Sequence, residues 1–183
     1  MSKACVFFAD GFEEVEALTP VDLMRRAGID VTTVAVGGGL GVKGSHGIEI
    51  TADILFEDMD FGDTDMLVLP GGMPGTLNLM NHKGLTALLD DFNSRGRKLA
   101  AICAAPSVFG KLGLLDGREA VCYPGFEKEL GNARIPENVT FVTDGNITTS
   151  RGAGTAMDFA LELIRILEGE DTSAKIGNSV IYK

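Results

Sequence analysis

Several features that would identify common classes of protein are missing from this sequence of 183 residues. It contains no tryptophan and only two histidines, and no apolar run approaches the ~20 residues that a membrane-spanning helix needs. Its three cysteines are an odd number without the spacing of a zinc site, which argues against a disulfide framework and favours a reducing compartment. The 16 basic residues are outnumbered by 26 acidic ones, giving a net charge of −10. That charge argues against nucleic acids and anionic membranes as partners.

The length and the amino terminus suggest a small cytoplasmic protein. A chain of 183 residues, 45% of them apolar, suits one domain with a sizeable core. The first residues enter a strand directly and show no secretory signal, so we expect a cytoplasmic location. The sequence therefore predicts a single domain over residues 1–183.

Short apolar runs alternate with amphipathic ones along the chain. Strands are predicted at residues 4–9, 31–36, 66–69, 99–102, 120–123, 139–142 and 147–149, with a small hairpin between residues 37 and 51. Helices are predicted at residues 13–27, 85–92 and 155–167, the last with a capping box of Thr155 and Asp158. This alternation predicts an α/β fold with a mostly parallel sheet covered by helices on both faces. Ligands of such sheets bind outside the carboxyl ends of the strands.

Cys103 stands between the apolar run 98–102 and a helix predicted to begin at residues 104–109. A cysteine in such a turn is held at the carboxyl edge of the sheet, close to the free N–H groups of the helix. That environment favours the thiolate and predicts a pKa lowered into the range of roughly 3.5–7.5. The alternative is a buried structural thiol, as most free cysteines are. Cys5 is expected in the core, and Cys122 is left open between the core and the site.

Glu16 is the expected partner of Cys103, because the first strand-to-helix connection leads to the same sheet edge. Pro20 lies four residues later and cannot donate to the Glu16 carbonyl, which predicts an irregularity in the helix. A carboxyl group beside a thiolate should have a raised pKa, and could donate a hydrogen bond to sulfur and shuttle a proton. Alternatively, Glu13, Glu14 and Glu16 simply favour the first turn of a helix.

Gly71 and Gly72 follow a buried strand and could present backbone N–H groups, with that of Ala104, as an oxyanion pocket. An ordinary Pro-Gly turn is the alternative reading. Residues 39–44 match G-x-G-x-x-G, but a strand rather than a helix follows them, so we predict no dinucleotide cofactor there.

The two histidines, His46 and His82, carry no clear chemical signal. Neither has the spacing to cysteine or carboxylate that a metal site needs, so no metal is predicted. His46 either reaches Cys103 through folding or lies on the surface. A cysteine hydrolase needs a base within hydrogen-bond reach of its sulfur, and the residue directly after Cys103 is Ala104.

Six segments together resemble the ThiJ/PfpI family, in the branch of the parkinsonism-associated deglycases. They are residues 10–16, 20–22, 25–28, 69–72, 100–106 and 150–155. The resemblance runs in order along essentially the whole chain. It implies a flavodoxin-like sandwich, usually a homodimer. Its members are described as glyoxalase- or deglycase-type enzymes that use no cofactor and act on methylglyoxal-like dicarbonyls or their adducts.

The resemblance also implies roles for individual residues. It assigns the nucleophile to Cys103, the buried acid to Glu16 and the oxyanion-type donors to Gly72 and Ala104. A second function that it implies is a redox-sensing or chaperone role, in which Cys103 oxidises to a sulfinate that the acid stabilises.

Three positions depart from the family pattern. Tyr123 stands where many members carry histidine, and Met73 stands where asparagine often follows the two glycines. His46 falls where an arginine helps to bind anions. These changes bear on substrate and rate but leave the pair of Cys103 and Glu16 intact. The peptidase branch has histidine directly after the cysteine, so the alanine here argues against proteolysis.

Overall fold

The computed structural model describes residues 1–182, so Lys183, the last residue of the predicted domain, lies outside the described residues. The strands described are β1 (Lys3–Phe8), β2 (Asp30–Ala35), β3 (Gly41–Lys43), β4 (Glu49–Thr51), β5 (Ile54–Leu55), β6 (Met66–Leu69), β7 (Lys98–Ile102), β8 (Phe141–Asp144) and β9 (Ile147–Ser150). The α-helices described are α1 (Glu14–Arg26), α2 (Gly75–Asn81), α3 (Lys83–Ser94), α4 (Pro106–Lys111), α5 (Ala156–Glu168) and α6 (Glu170–Ser179). Within residues 1–182, every helix is too short or too polar to cross a bilayer.

Seven strands form one sheet in the order β5-β2-β1-β6-β7-β9-β8, and only the β8–β9 pair is antiparallel. The short strands β3 and β4 form a separate antiparallel hairpin. The strand order reverses direction between β1 and β6, and ligands of open α/β sheets bind at such a switch point. The predicted α/β architecture with a mostly parallel sheet is thus confirmed.

The alternating side chains of β1 show how the sequence builds a core on each face of the sheet. Val6 and Phe8 pack into one cluster with residues of α1 and α5, whereas Phe7 packs into a second cluster with residues of α3 and α4. Both phenylalanines are completely buried. Burying each contributes roughly 1.5–3 kcal/mol, so a strand with no polar face is stable only between two helical layers. The molecule is a single three-layer flavodoxin-like sandwich.

The strand predicted at residues 120–123 is wrong. Only Glu119 forms an isolated bridge, to Arg134, and the segment then runs as a loop. The sheet positions on both sides of β7 are already taken by β6 and β9, so the apolar run cannot join the sheet there. Instead it crosses the carboxyl end of β7, where the Tyr123 N–H donates to the Cys103 carbonyl over 2.8 Å.

Two local predictions about helices also differ from the structure. Helix α1 continues through Pro20 without interruption, because proline removes only the hydrogen bond to the Glu16 carbonyl. The side chain of Thr155 does not cap α5. Its hydroxyl instead bonds to the Gly152 carbonyl at 2.9 Å and to the Ser150 hydroxyl at 2.8 Å.

Candidate active site

Cys103 occupies a strained turn between β7 and α4. Its φ is 66°, a left-handed conformation that costs a side-chain-bearing residue of order 1–3 kcal/mol. Two backbone hydrogen bonds hold it: the Cys103 N–H donates to the Ser150 carbonyl over 3.0 Å, and its carbonyl accepts from Tyr123. The side chain is half-buried against the core on the α1 and α5 face. The predicted strand-to-helix turn at the sheet edge is confirmed.

Glu16 lies in the first turn of α1 and meets Cys103 beside Gly71. Its side chain is buried, and Oε2 accepts a hydrogen bond from the Gly71 N–H over 3.1 Å. A Cβ added at Gly71 would lie 2.5 Å from Glu16 Oε2 and 2.6 Å from the Cβ of Cys103. Glycine is therefore required between them, because any side chain there would separate the acid from the thiol.

The two acidic groups perturb each other strongly. Burial raises the pKa of Glu16 to about 7, although hydrogen bonding with Cys103 and the Gly71 N–H lowers it. Burial, and then the charge of Glu16, raise the pKa of Cys103 to about 12. The backbone N–H groups of Ala104 and Gly72 lower that pKa by less. The prediction of a low thiol pKa is therefore wrong, since burial beside a carboxylate outweighs two amide dipoles.

Two of the three predicted donors of the oxyanion pocket lie at the sulfur, whereas the third, the Gly71 N–H, donates to Glu16 instead. Gly72 and Ala104 both present their backbone N–H groups to Cys103. Gly72 has a φ of 91°, and a Cβ there would collide with the backbone of Glu13 and Gly11. The turn after β6 can therefore approach the start of α1 only as glycine, and its amide donors are fixed before any ligand binds.

His46 lies on the hairpin and bonds to the start of α1, without a contact to Cys103 among the hydrogen bonds of residues 1–182. Its imidazole Nδ1 lies 3.0 Å from Glu14 Oε2, and its backbone N–H donates to Glu14 Oε1 over 2.8 Å. Burial would raise the pKa of Glu14, but the hydrogen bonds from His46 and from the Ile48 N–H lower it to about 2. The same contact raises the pKa of His46.

The spacing along the sequence relates neither histidine to a carboxylate, but folding brings both to one: His46 meets Glu14, and His82 Nε2 lies 3.4 Å from Glu57 Oε1. The imidazole of His46 and the carboxylates of Glu13 and Glu14 place ligand atoms within 4.8 Å of one another, a grouping that could hold a cation. The oxygens of Glu14 already accept hydrogen bonds from the hairpin, so the cluster's visible role is to attach β3 and β4 to α1.

Tyr123 is half-exposed, and its ring lies beside Gly152. It borders a cavity of about 320 Å³ at the same edge of the sheet. The backbone of Ala153, in the 3₁₀ turn Ala153–Thr155 between β9 and α5, also bonds to the carboxyl of Glu16. Sequence reasoning assigned no role to residues 151–153, although they follow a strand that ends at this edge. Met73 is exposed and Cys122 is buried in the opposite core.

Comparison with known proteins places this geometry in context. The model of the DJ-1/PfpI family matches residues 2–166. The chain is 37% identical over 99% of its length to Arabidopsis thaliana Protein DJ-1 homolog B, of which it spans only 42%. It is 39% identical to Drosophila melanogaster Protein dj-1beta, covering 99% of this chain and 98% of that one. A deglycase from Pyrococcus abyssi is 30% identical, with coverage of 91% and 99%.

Solved structures of similar proteins share the fold of this chain. Oxidized Toxoplasma gondii DJ-1 superimposes with a TM-score of 0.95 at 34% identity, covering 100% of this chain and 99% of that chain. Drosophila melanogaster DJ-1beta superimposes with a TM-score of 0.96 at 36% identity, covering both chains completely. The similarity therefore includes every layer of the sandwich and the edge that carries Cys103.

Proposed function

Because this chain belongs to the DJ-1/PfpI family, we propose that it is a glyoxalase- or deglycase-type enzyme that acts without a cofactor on methylglyoxal-like dicarbonyls or their adducts. The similar protein from Pyrococcus abyssi is named a deglycase. The observation that carries the proposal is the meeting of the Glu16 carboxyl and the Cys103 thiol beside Gly71, at the switch point of the sheet. A general base is most effective when its pKa lies near the working pH, as that of Glu16 does.

In the proposed first step, Glu16 takes the proton of Cys103 as the sulfur attacks the aldehyde carbon of an α-oxoaldehyde. The carbon–sulfur bond forms, and the π electrons of the carbonyl move to oxygen. The N–H groups of Gly72 and Ala104 stabilise the negative charge that develops on this oxygen. Glu16 then returns its proton to that oxygen, which completes a hemithioacetal. No free thiolate has to accumulate, which agrees with the raised pKa of Cys103.

In the second step, the ionised Glu16 removes the proton from the carbon that bears sulfur and delivers it to the neighbouring carbon. The hemithioacetal thereby becomes a thioester of a 2-hydroxy acid through an enediol. Water then hydrolyses the thioester, releasing the hydroxy acid and restoring the thiol of Cys103. In this sequence the aldehyde carbon is oxidised and the neighbouring ketone carbon is reduced, so no external oxidant or reductant is consumed.

The direct test is the Cys103→Ser variant, assayed for conversion of methylglyoxal to lactate. We expect activity to disappear, because serine at this position is a far weaker nucleophile. Cys122→Ser is the matched control and should keep its activity, since that thiol lies in the opposite core. Full activity in Cys103→Ser would refute the proposed function.

A redox-sensing or chaperone role is the second candidate. A half-buried sulfur facing two N–H donors and a carboxyl that is protonated below pH about 7 suits a sulfinate, which needs hydrogen-bond donors. The similarity to oxidized Toxoplasma gondii DJ-1 supports this role. Intact-mass spectrometry after mild peroxide should show two added oxygens confined to Cys103. A thiol that resists peroxide would count against it.

A further inference from the structure

Residues 150–155, the β9–α5 segment, touch both members of the candidate catalytic pair. The Ser150 carbonyl accepts the Cys103 N–H over 3.0 Å. Two residues later, a Cβ added at Gly152 would lie 3.8 Å from Glu16 Oε1. The other carboxyl oxygen, Oε2, accepts the hydrogen bond from the Gly71 N–H. The β9–α5 segment therefore lies beside the carboxyl oxygen to which Gly71 does not donate.

Thr155 closes this segment into a turn through a single hydroxyl. Its Oγ1 accepts the Gly152 N–H over 3.1 Å and lies 2.9 Å from the Gly152 carbonyl. The same Oγ1 lies 2.8 Å from the Ser150 hydroxyl. One side chain thus fixes residues 150 and 152, which are the two that approach Cys103 and Glu16.

The direction of these hydrogen bonds follows from the buried end of the network. Ser150 is completely buried, and its hydroxyl donates to the Thr140 carbonyl over 2.8 Å, because a carbonyl can only accept. The Ser150 oxygen then accepts from the Thr155 hydroxyl, and Thr155 accepts from the Gly152 N–H. The Gly152 carbonyl is satisfied by the backbone N–H of Thr155 over 2.8 Å. Every donor in this arrangement has an acceptor, and a fully paired network holds one geometry.

The hydroxyl of Thr155 does not serve the helix that follows it. A threonine before a helix usually accepts a hydrogen bond from an N–H of the first turn. Within residues 1–182, the Thr155 side chain forms no such bond with α5. Its contacts lie instead on residues 150 and 152, on the side of the candidate site. The bonding pattern therefore indicates a role at the site rather than a capping role.

We propose that Thr155 is a positioning residue for the reaction, because its hydroxyl holds the backbone of Gly152 and Ala153 against the Glu16 carboxyl. This inference rests on the proposed function, in which Glu16 is the base. Burial raises the pKa of Glu16 to about 7, and the hydrogen bond from the Ala153 backbone lowers it, since an N–H donor favours the ionised carboxyl. Thr155 thereby keeps Glu16 able to ionise near neutral pH.

Two other side chains act on the same carboxyl. After burial, the largest effects on the pKa of Glu16 are the hydrogen bond with Cys103, which lowers it, and the charge of Glu13, which raises it. Neither side chain is hydrogen-bonded to Thr155 in the described part of the chain, so a change at Thr155 should leave both effects in place. A change in the titration of Glu16 on removal of the Thr155 hydroxyl would therefore report on the β9–α5 segment.

The test removes the hydroxyl with Thr155→Val and follows kcat/KM for methylglyoxal against pH. The inflection near pH 7 should move up by about half a pH unit to one pH unit, because ionised Glu16 loses a donor. The ratio of kcat/KM at pH 6 to its plateau value should then fall roughly three- to tenfold. Thr155→Ser keeps the hydroxyl and should restore the wild-type inflection. An unmoved inflection in Thr155→Val, with methylglyoxal still converted, overturns the inference and leaves the proposed function standing.

Thr143→Val is the matched control. The Thr143 hydroxyl also has two partners, Thr148 Oγ1 at 3.0 Å and Glu162 Oε1 at 2.8 Å. Both partners lie outside the β9–α5 segment, so loss of this hydroxyl should leave the inflection where it is. If Thr143→Val moves the inflection as far as Thr155→Val does, the change reflects a general loss of hydrogen bonding and the inference fails.

An NMR titration of the Glu16 carboxyl carbon decides the inference even if methylglyoxal is not converted, an outcome that defeats the proposed function alone. The resonance is identified by its absence in Glu16→Gln. We expect its midpoint to be higher in Thr155→Val by about half a pH unit to one pH unit and to return to the wild-type value in Thr155→Ser. Thr155→Ala gives the same comparison if the valine variant does not fold. Equal midpoints in the wild type and in the variant without the hydroxyl contradict the inference.

Discussion

Glu16 and Cys103 hold one proton between them at neutral pH, because burial raises the pKa of both groups and the charge of ionised Glu16 raises that of Cys103 further. A buried carboxyl and a buried thiol in contact cannot both carry charge without a compensating cation. The chemistry of the site is therefore set by where that proton lies. A reaction that moves it from sulfur to carboxylate needs no rearrangement of the protein.

Glu16→Gln should change how the reaction rate depends on pH. In the wild type, kcat/KM for methylglyoxal should rise with pH and level off above about 7, because Glu16 must be ionised to act as a base. The variant should be slower by ~10²-fold or more and should lose that inflection. Glu13→Gln is the control and should keep it. An inflection that persists in Glu16→Gln would assign it to another group.

The same substitution should stabilise the protein. The folded-state pKa of Glu16 is raised from 4.5 to about 7, so the folded state binds the proton more tightly than the unfolded chain. Stability contributed by protonated Glu16 is present below pH 4.5 and is lost as pH rises through about 7. Glutamine mimics the protonated acid. At pH 8, Glu16→Gln should raise the free energy of unfolding by roughly 2–3 kcal/mol, and urea melts at pH 4 should show little difference.

Close backbone packing fixes the position of helix α4, which follows the turn at Cys103. Helix α4 begins at Pro106, and its Gly110 lies against the carbonyl of Glu129 in the short 3₁₀ helix Glu127–Leu130. The apolar residues Val108 and Phe109 on the same helix are completely buried. The position of the turn at Cys103 thus depends on a contact between two elements that are separated along the chain.

Gly110→Ala should weaken that contact. Its methyl group would overlap the carbonyl of Glu129, and forcing extra volume into such packing costs ~1–3 kcal/mol. Gly38→Ala is the control, because no atom lies within 4 Å of a Cβ added there. Unfolding in urea should show a lower midpoint only for Gly110→Ala. Equal midpoints would mean that the backbone yields at no cost.

Elements with strong apolar patterns could be predicted from the sequence, whereas elements that depend on their neighbours could not. Strand β1 and helix α3 were predicted because their patterns fit only a buried strand and an amphipathic helix. The missed helix α6 is mostly polar, and the missed α2 has only seven residues. The meeting of Glu16 and Cys103 was predicted from connections, since both follow parallel strands at one edge. The pKa of the thiol depends on burial, which no sequence pattern supplied.

At the scale of the whole molecule, α1 leaves part of its apolar surface uncovered. Val15 and Leu18 are 49% and 39% exposed, one helical turn apart on the outer layer, next to the residues of the candidate site. A monomer gains nothing from exposed apolar side chains, so we propose that this face joins two copies in a homodimer, as the resemblance implies. A second copy would also cover the region where α1 begins.

Leu18→Asp should therefore separate the copies. Sedimentation equilibrium should give twice the chain mass of 19.3 kDa for the wild type and the mass of one chain for the variant. The aspartate would place an unpaired charge inside the interface, which is strongly unfavourable. Leu77→Asp is the control: this leucine is 43% exposed on α2, in the opposite layer, and should leave the mass unchanged. A wild-type mass of one chain would contradict the proposal.

The contact between His46 of the hairpin and Glu14 of α1 affects how the protein responds to a fall in pH. Glu14, whose pKa is lowered to about 2, stays ionised well below the pH of about 7 at which Glu16 takes up its proton, and the contact with Glu14 raises the pKa of His46. Mild acidification should therefore stop catalysis while leaving the ion pair between His46 and Glu14 in place. The protein would then be inactive but fully folded. Return to neutral buffer should restore activity at once, because only the proton on Glu16 has to be lost.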